Sequence, residues 1–130
     1  MMIPAKLVAG GLVLAGVISF LPTVGVAGVS WLRSLYGFEI DNPDLEILLR
    51  HRAVLFGILG TLLFAAAIRP GLRDTAALVA GASMASFIAI ALVVGGYGPS
   101  IRKVVIADIV GLLALAPAAL ARLGPGRTLG

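Results

Sequence analysis

Cysteine is absent from this chain of 130 residues, and histidine occurs once, as His51. The absence of cysteine excludes disulfides, thiolate metal sites and thiol redox chemistry. A lone histidine without cysteine partners makes no convincing metal site. The chain also lacks a Gly-rich phosphate loop and the motifs His-Glu-x-x-His and Gly-x-Ser-x-Gly. We therefore predict no metal, and no familiar catalytic motif indicates an enzyme.

Charge is also scarce, because only 12% of the residues are charged, while 60% are hydrophobic and the mean hydropathy is +1.11. Soluble domains carry about 25% charged residues, so this chain cannot cover its apolar residues with a polar surface. The net charge is +4, but the basic residues stand singly or in pairs beside apolar runs. That spacing is typical of anchors at membrane ends and not of a nucleic-acid interface.

Four apolar runs are long enough to approach or reach the width of a bilayer, and they occupy residues 5–21, 45–68, 75–94 and 104–121. We predict an all-α fold, an integral membrane four-helix bundle formed by residues 1–130 as one domain. The first loop is predicted to hold an interfacial segment, residues 30–41, and residues 124–130 a loose tail. The first run can also be interpreted as a signal peptide cut near Ala27 or Gly28.

Small residues recur every three or four positions in all four runs, which favours close helix packing where lipid supplies no hydrophobic drive. Small residues at this spacing also occur in helices that are rich in alanine and glycine but do not pack closely. The sequence therefore allows both interpretations, a packing face or a small-residue-rich helix. The predicted packing stripes are Gly11, Ala15 and Ser19; Ala53, Gly57, Thr61 and Ala65; Ala77, Gly81, Ala85 and Ala89; and Ala107, Gly111, Ala114 and Ala118.

The first loop carries several helix boundary signals. Pro22 is predicted to end the first helix, and Ser30 to cap a short amphipathic helix, Trp31–Tyr36, which Gly37 ends in a left-handed conformation. Asn42 is predicted to cap a long helix that has Pro43 at its first position and runs to Ile68.

The side of the membrane on which the termini lie is only weakly indicated. Basic residues are balanced, with Lys6, Arg69, Arg73, Arg122 and Arg127 on one side and Arg33, Arg50, Arg52, Arg102 and Lys103 on the other. Four of the six acids lie on the second side, which favours cytoplasmic termini.

The triplet Arg50-His51-Arg52 stands where the second span begins. The uncharged part that follows has only sixteen residues, which is ~24 Å of helix and too short for a hydrocarbon core of ~30 Å. The triplet therefore lies in or just under the interface. In an up-and-down bundle the second and fourth spans begin on the same side, which brings the triplet near Asp108.

Asp108 is the acid inside a span, and such acids are functional candidates whose partner must be named. We predict an interhelical pair between Asp108 and Arg50 or Arg52, which either locks two helices in register or faces a ligand; the arginines could instead extend to the lipid headgroups. His51 and Asp108 are the candidate catalytic residues, as an acid/base pair. The candidate ligand-binding residues are Arg50, His51, Arg52, Asp108, Tyr36 and Tyr97.

Four short motifs are Leu35-Tyr36-Gly37, Asn42-Pro43, Arg50-His51-Arg52-Ala53-Val54-Leu55-Phe56-Gly57 and Gly95-Gly96-Tyr97. They resemble a family of small bacterial four-span membrane proteins, broadly DoxX-like in layout, and the resemblance covers nearly the whole chain. Members often carry the label phosphopantetheine adenylyltransferase, which implies a soluble α/β fold with a His-x-Gly-His motif that this chain lacks. DoxX-like redox partners imply association with quinone or a respiratory complex.

These observations predict a multi-pass protein of the bacterial inner membrane that acts as a binding or accessory subunit. Its expected ligand is a membrane lipid or a quinone-like lipophile, held where the first loop meets the starts of the second and fourth spans. Other membrane subunits or further copies of the chain are expected partners, and no other cofactor is predicted. Two alternatives are an enzyme that uses His51 and Asp108 on a lipophilic substrate, and a small proton-coupled transporter.

Overall fold

The computed structural model describes residues 3–123, apart from the side chains of residues 29, 122 and 123. The described residues form helices joined by short loops and contain no strands, so the all-α prediction is confirmed. The predicted tail, residues 124–130, lies outside the described part. The helices are α1 (Ala5–Phe20), α2 (Val29–Tyr36), α3 (Pro43–Ile68), α4 (Arg73–Val94) and α5 (Pro99–Leu123), with 3-10 turns at Leu21–Ala27 and Pro70–Leu72.

Four helical segments are long and apolar enough to cross a membrane, so this is a multi-pass membrane protein. They are Ala5–Ala27, Pro43–Ile68, Pro70–Val94 and Pro99–Ala121. The fourth begins five residues before the predicted start at residue 104. Pro99 suits the first turn of a helix because its missing N–H needs no partner there, and the amide of Arg102 already bonds the carbonyl of Gly98 at 3.0 Å.

The α-helical part of the first segment ends at Phe20, just before Pro22, as predicted, but the helical segment as a whole is longer than predicted. The chain continues as a 3-10 helix to Ala27, with the proline in the first turn of that tighter segment. Proline is tolerated there because the first amides of a helix have no partner inside it. The predicted cap Ser30 is also wrong, since α2 begins at Val29 after Gly28.

The spans pack in a ring in which each contacts two neighbours. Helix α1 lies between α3 and α5, and α4 lies against α5 and α3. Their inward faces form one apolar core, whose fully buried members include Leu12, Leu63, Ala76 and Ala80. The observed arrangement is the predicted four-helix bundle, and α1 is one of its packed members.

Small residues set the closest approaches. A Cβ on Gly11 would overlap the carbonyl oxygen of Ala114, and one on Gly111 would lie 2.7 Å from the Met84 side chain. The predicted stripes on α1 and α5 are confirmed, because Ala15, Ser19 and Ala118 are buried as well.

The stripes predicted on the other two spans are wrong or only partly right. On α4, Ala85 and Ala89 are exposed, and the packed face, which contains Ala76, Ala80 and Met84, lies one residue earlier along the chain. On α3, Ala53 is buried and Gly57 faces Thr23, but Thr61 is exposed. Both faces of these helices are apolar in lipid, so composition does not identify the one that packs.

The first loop folds over one end of the bundle. Leu32, Tyr36 and Ile40 are buried together and pack against Leu45 and Leu49 of α3 and Ile101 of α5. Gly37 ends α2 with a φ of 71°, as predicted. The predicted cap of α3 is confirmed too, because the side-chain oxygen of Asn42 accepts a hydrogen bond from the amide of Asp44 at 2.8 Å.

Candidate functional site

A cleft of about 200 Å³ separates α3 from α4 near the end of the bundle that α2 covers. The lining residues 52–59 lie in the middle of α3, and the lining residues 83–90 lie in the second half of α4. The cleft therefore does not reach the turn that joins these two helices. Most of its lining is apolar, and the lining contains one basic and one acidic residue. The lining residues are Arg52, Leu55, Phe56, Leu59, Ser83, Ser86, Phe87, Ile90 and Asp108.

Arg52 is fixed by three aromatic side chains. Its Nε donates a hydrogen bond to the Tyr36 hydroxyl at 3.1 Å. Its guanidinium carbon lies 4.8 Å from the ring centroid of Phe56 and 4.8 Å from that of Phe87. Each such cation–π contact contributes ~0.5–2 kcal/mol, and more when water is excluded. The arginine is thereby held at the cleft and does not extend freely towards the lipid headgroups.

Tyr36 reaches Arg52 because α2 packs across the end of the bundle. The tyrosine is buried beside Leu32 and Ile40, and its ring lies 6.0 Å from that of Phe38. The hydroxyl is therefore positioned by a well-packed apolar cluster. A hydrogen bond thus links the first loop to the cleft.

Asp108 forms part of the cleft wall from α5 and is only 5% exposed. Within residues 3–123 its carboxylate has no hydrogen bond and no ion pair within 4.0 Å. Arg52 is the basic residue among those that line the same cleft. The two groups predicted to pair therefore share one cleft without direct contact, and each keeps hydrogen-bonding capacity towards the space between them.

Arg50 is held elsewhere, so its predicted pairing with Asp108 is wrong. Its Nε and Nη2 donate to the carbonyl of Val26 at 3.1 and 2.9 Å, and Nη1 bonds Glu46 at 3.2 Å. Residues two positions apart lie about 200° apart around a helix, so Arg50 and Arg52 face opposite directions. Arg50 ties the end of the first span to α3, which is a structural role.

His51 and Tyr97 do not join the other candidates. His51 is exposed and Tyr97 is half-buried, and neither lines the cleft that holds Asp108. The predicted acid/base pair of His51 and Asp108 is therefore not assembled. Of the six candidate ligand-binding residues, the structure brings together Arg52, Asp108 and Tyr36.

Seven of the nine lining residues were not predicted, and the four of them with aromatic or polar side chains are Phe56, Phe87, Ser83 and Ser86. A signal for them exists in the sequence, because Phe56 follows Arg52 by one helical turn and shares its face. Ser83, Ser86 and Phe87 share a face of an otherwise apolar span in the same way. The Ser86 hydroxyl donates to the Ser83 carbonyl at 2.9 Å, which satisfies its proton inside the helix.

Metal binding has no support in the described residues, among which no group of three or more His, Cys, Asp or Glu side chains lies close enough to hold an ion. Comparisons of the chain with models of protein families, with curated proteins and with solved structures find no match. The DoxX-like resemblance therefore stays a prediction, and the function must be argued from the cleft.

Proposed function

We propose that this protein is a membrane-embedded binding or accessory subunit that holds the head of a lipophile, such as a lipid or a quinone-like molecule, in the cleft between α3 and α4. One observation carries the proposal. Arg52 is held in place by Tyr36, Phe56 and Phe87 and lines the same cleft as a buried acid that it does not contact. We place the protein in the bacterial inner membrane with cytoplasmic termini, as the sequence favours.

The cleft is large enough for the head of a lipophile but too small for a whole ligand. Pockets for small molecules usually enclose ~300–1,000 Å³, and this one encloses about 200 Å³. Leu55 and Ile90 belong to its lining and are exposed at the surface of the bundle. A tail would therefore leave the cleft sideways and lie among lipid chains, as expected for a ligand that is dissolved in the bilayer.

The chemistry of Arg52 suits the role of anchor. Its Nε is taken by Tyr36, and its two terminal nitrogens form no hydrogen bond to residues 3–123. A guanidinium presents several donors in a fixed plane, so it can bind one or two oxygens of a head. The flanking rings cover part of the half-buried guanidinium, and such shielding strengthens hydrogen bonds.

The two other functions expected from the sequence have less support. An enzyme that pairs His51 with Asp108 would need the two side chains on one site, and His51 lies outside the cleft. A proton-coupled transporter would keep Asp108 as its proton carrier, and the burial of this acid favours it as the alternative. A change in uptake or resistance on Asp108→Asn would support that alternative.

The experiment compares Arg52→Gln with Arg50→Gln, since the two arginines stand two residues apart and only the first lines the cleft. Each protein is extracted from native membranes in mild detergent, and its lipophiles and accompanying chains are identified by mass spectrometry. Hydrogen bonds to a charged group contribute ~1.5–3 kcal/mol. The Arg52→Gln protein should therefore retain at least about 10-fold less lipophile than wild type. Arg50→Gln should retain it. Equal retention by both folded variants would refute the proposal.

A further inference from the structure

The cleft contains a hydrogen-bond donor and a hydrogen-bond acceptor that do not satisfy each other. Arg52 lies on the α3 wall and Asp108 on the α5 wall, without an ion pair between them. Building on the proposed function, we propose that the head is uncharged and both accepts and donates hydrogen bonds. The ligand class is then a neutral, hydroxyl-bearing lipophile and not an anionic phospholipid.

The balance of charge is the first argument. An anionic head attracted by Arg52 would also approach the carboxylate of Asp108, which lines the same small cleft. Asp108 is buried, so salt would screen this repulsion little. The other charged residues of the first loop and of the start of α5, among them Arg33, Arg102 and Lys103, are exposed and do not line the cleft. The cleft therefore lacks the excess positive charge that selects phosphate groups.

The hydrogen-bonding capacity of the two side chains is the second argument. A guanidinium only donates and an ionised carboxylate only accepts. A hydroxyl does both, so one hydroxyl-bearing head can accept from Arg52 and donate to Asp108. A phosphate diester brings acceptors alone and would leave the buried carboxylate without a donor, which is costly away from water.

The remaining walls agree with a head that carries no charge. Phe56, Phe87, Leu55 and Leu59 surround the two polar side chains with apolar surface. Two kinds of membrane molecule share the required chemistry, namely a phenolic or quinol ring and the glycerol hydroxyl of a diacylglycerol. They differ in shape, so the experiment tests both.

The experiment measures binding of three probes to the full chain in nanodiscs of zwitterionic lipid: an alkylphenol, a diacylglycerol and phosphatidylmethanol, an anionic diester whose head has no hydroxyl. Wild type should bind one of the neutral probes at least about 10-fold more tightly than phosphatidylmethanol, and the tighter neutral probe identifies the source. Asp108→Asn removes the repulsion and the acceptor charge, so it should shift this ratio at least about 10-fold towards phosphatidylmethanol. The wild-type ratio needs no variant and tests the inference even if Asp108→Asn fails to fold.

Arg52→Gln distinguishes the two levels of the proposal. If phosphatidylmethanol binds wild type as tightly as the neutral probes, and Arg52→Gln abolishes that binding, the site stands and the uncharged head is refuted. If a folded Asp108→Asn leaves the ratio of the neutral to the anionic affinity unchanged, the site stands and the argument from Asp108 for an uncharged head is refuted. If no probe binds in a way that depends on Arg52, both the inference and the proposed function fail.

Discussion

Two seams of the same bundle are built in opposite ways. Where α1 meets its neighbours, glycines allow backbone to touch backbone or ring, as at Gly11 against Ala114 and Gly16 against Phe64. Where α3 meets α4 near the covered end, Arg52 and Phe87 stand in a cleft. In lipid, close packing of small residues holds helices together. The first seam therefore serves stability, and the second leaves room for the proposed ligand head.

The largest expected effect concerns the closed seam. Gly11→Ala places a Cβ on the Ala114 carbonyl oxygen, which belongs to the backbone of α5 and cannot rotate away. Overpacking typically costs ~1–3 kcal/mol and sometimes more, so we expect a loss of about 3 kcal/mol in the free energy of unfolding. The neighbouring Gly10→Ala is the matched control, since a Cβ there meets nothing within 4 Å.

Unfolding in SDS titrations, read by circular dichroism, measures both alanine variants. Equal unfolding curves for Gly11→Ala and Gly10→Ala would show that the seam around α1 is not closely packed. The distinction between the two seams would then be lost.

The next effect concerns the cleft itself. Ser83→Leu adds apolar bulk to its lining, so we expect ligand affinity to fall at least 10-fold, which corresponds to ~1.4 kcal/mol. Stability should change by less than ~0.5 kcal/mol, as for most exposed sites. Titration of the tighter neutral probe measures the affinity. Ala82→Leu is the control on the same helix, because Ala82 is exposed and does not line the cleft; a similar loss of affinity in both would mean that the probe binds elsewhere.

The smallest effect concerns the hydrogen bond that joins the loop to the cleft. Tyr36→Phe keeps the packed ring and removes the acceptor of Arg52 Nε. A net hydrogen bond contributes ~0.5–1.5 kcal/mol, and one to a charged group more. We expect ligand affinity to fall about threefold to 10-fold, with less than ~1.5 kcal/mol lost from stability. The same titration applied to Tyr97→Phe should show no change, since Tyr97 does not line the cleft. A full effect in Tyr97→Phe and none in Tyr36→Phe would contradict the assignment.

The sequence predicts the fold well because hydropathy and helix caps are local signals. Asn42 was predicted to cap the start of α3 with its side chain, and Gly37 to end α2 in a left-handed conformation. The structure confirms both predictions. The 3-10 helix around Pro22 was not predicted, because a proline that ends an α-helix also fits the first turn of a 3-10 helix.

The site could be predicted only in part, for a physical reason. Arg52 and Asp108 stand out because charge is rare inside a span, and their common cleft follows from the topology. Which of Arg50 and Arg52 faces the cleft depends on how α3 is rotated, and both faces of this helix are apolar. Phe56 and Phe87 look like ordinary lipid-facing or core residues until Arg52 is seen between them.

The most direct test locates the head of a bound ligand. The tighter neutral probe, carrying a diazirine next to its hydroxyl group, is activated by light in nanodiscs, and the adducts are mapped by mass spectrometry. We expect adducts on residues 52–59 and 83–90 that the unlabelled probe suppresses and that Arg52→Gln removes. Adducts spread evenly along α4, including the exposed Leu92, Val93 and Val94 outside the cleft, and unaffected by Arg52→Gln would contradict a binding site between α3 and α4.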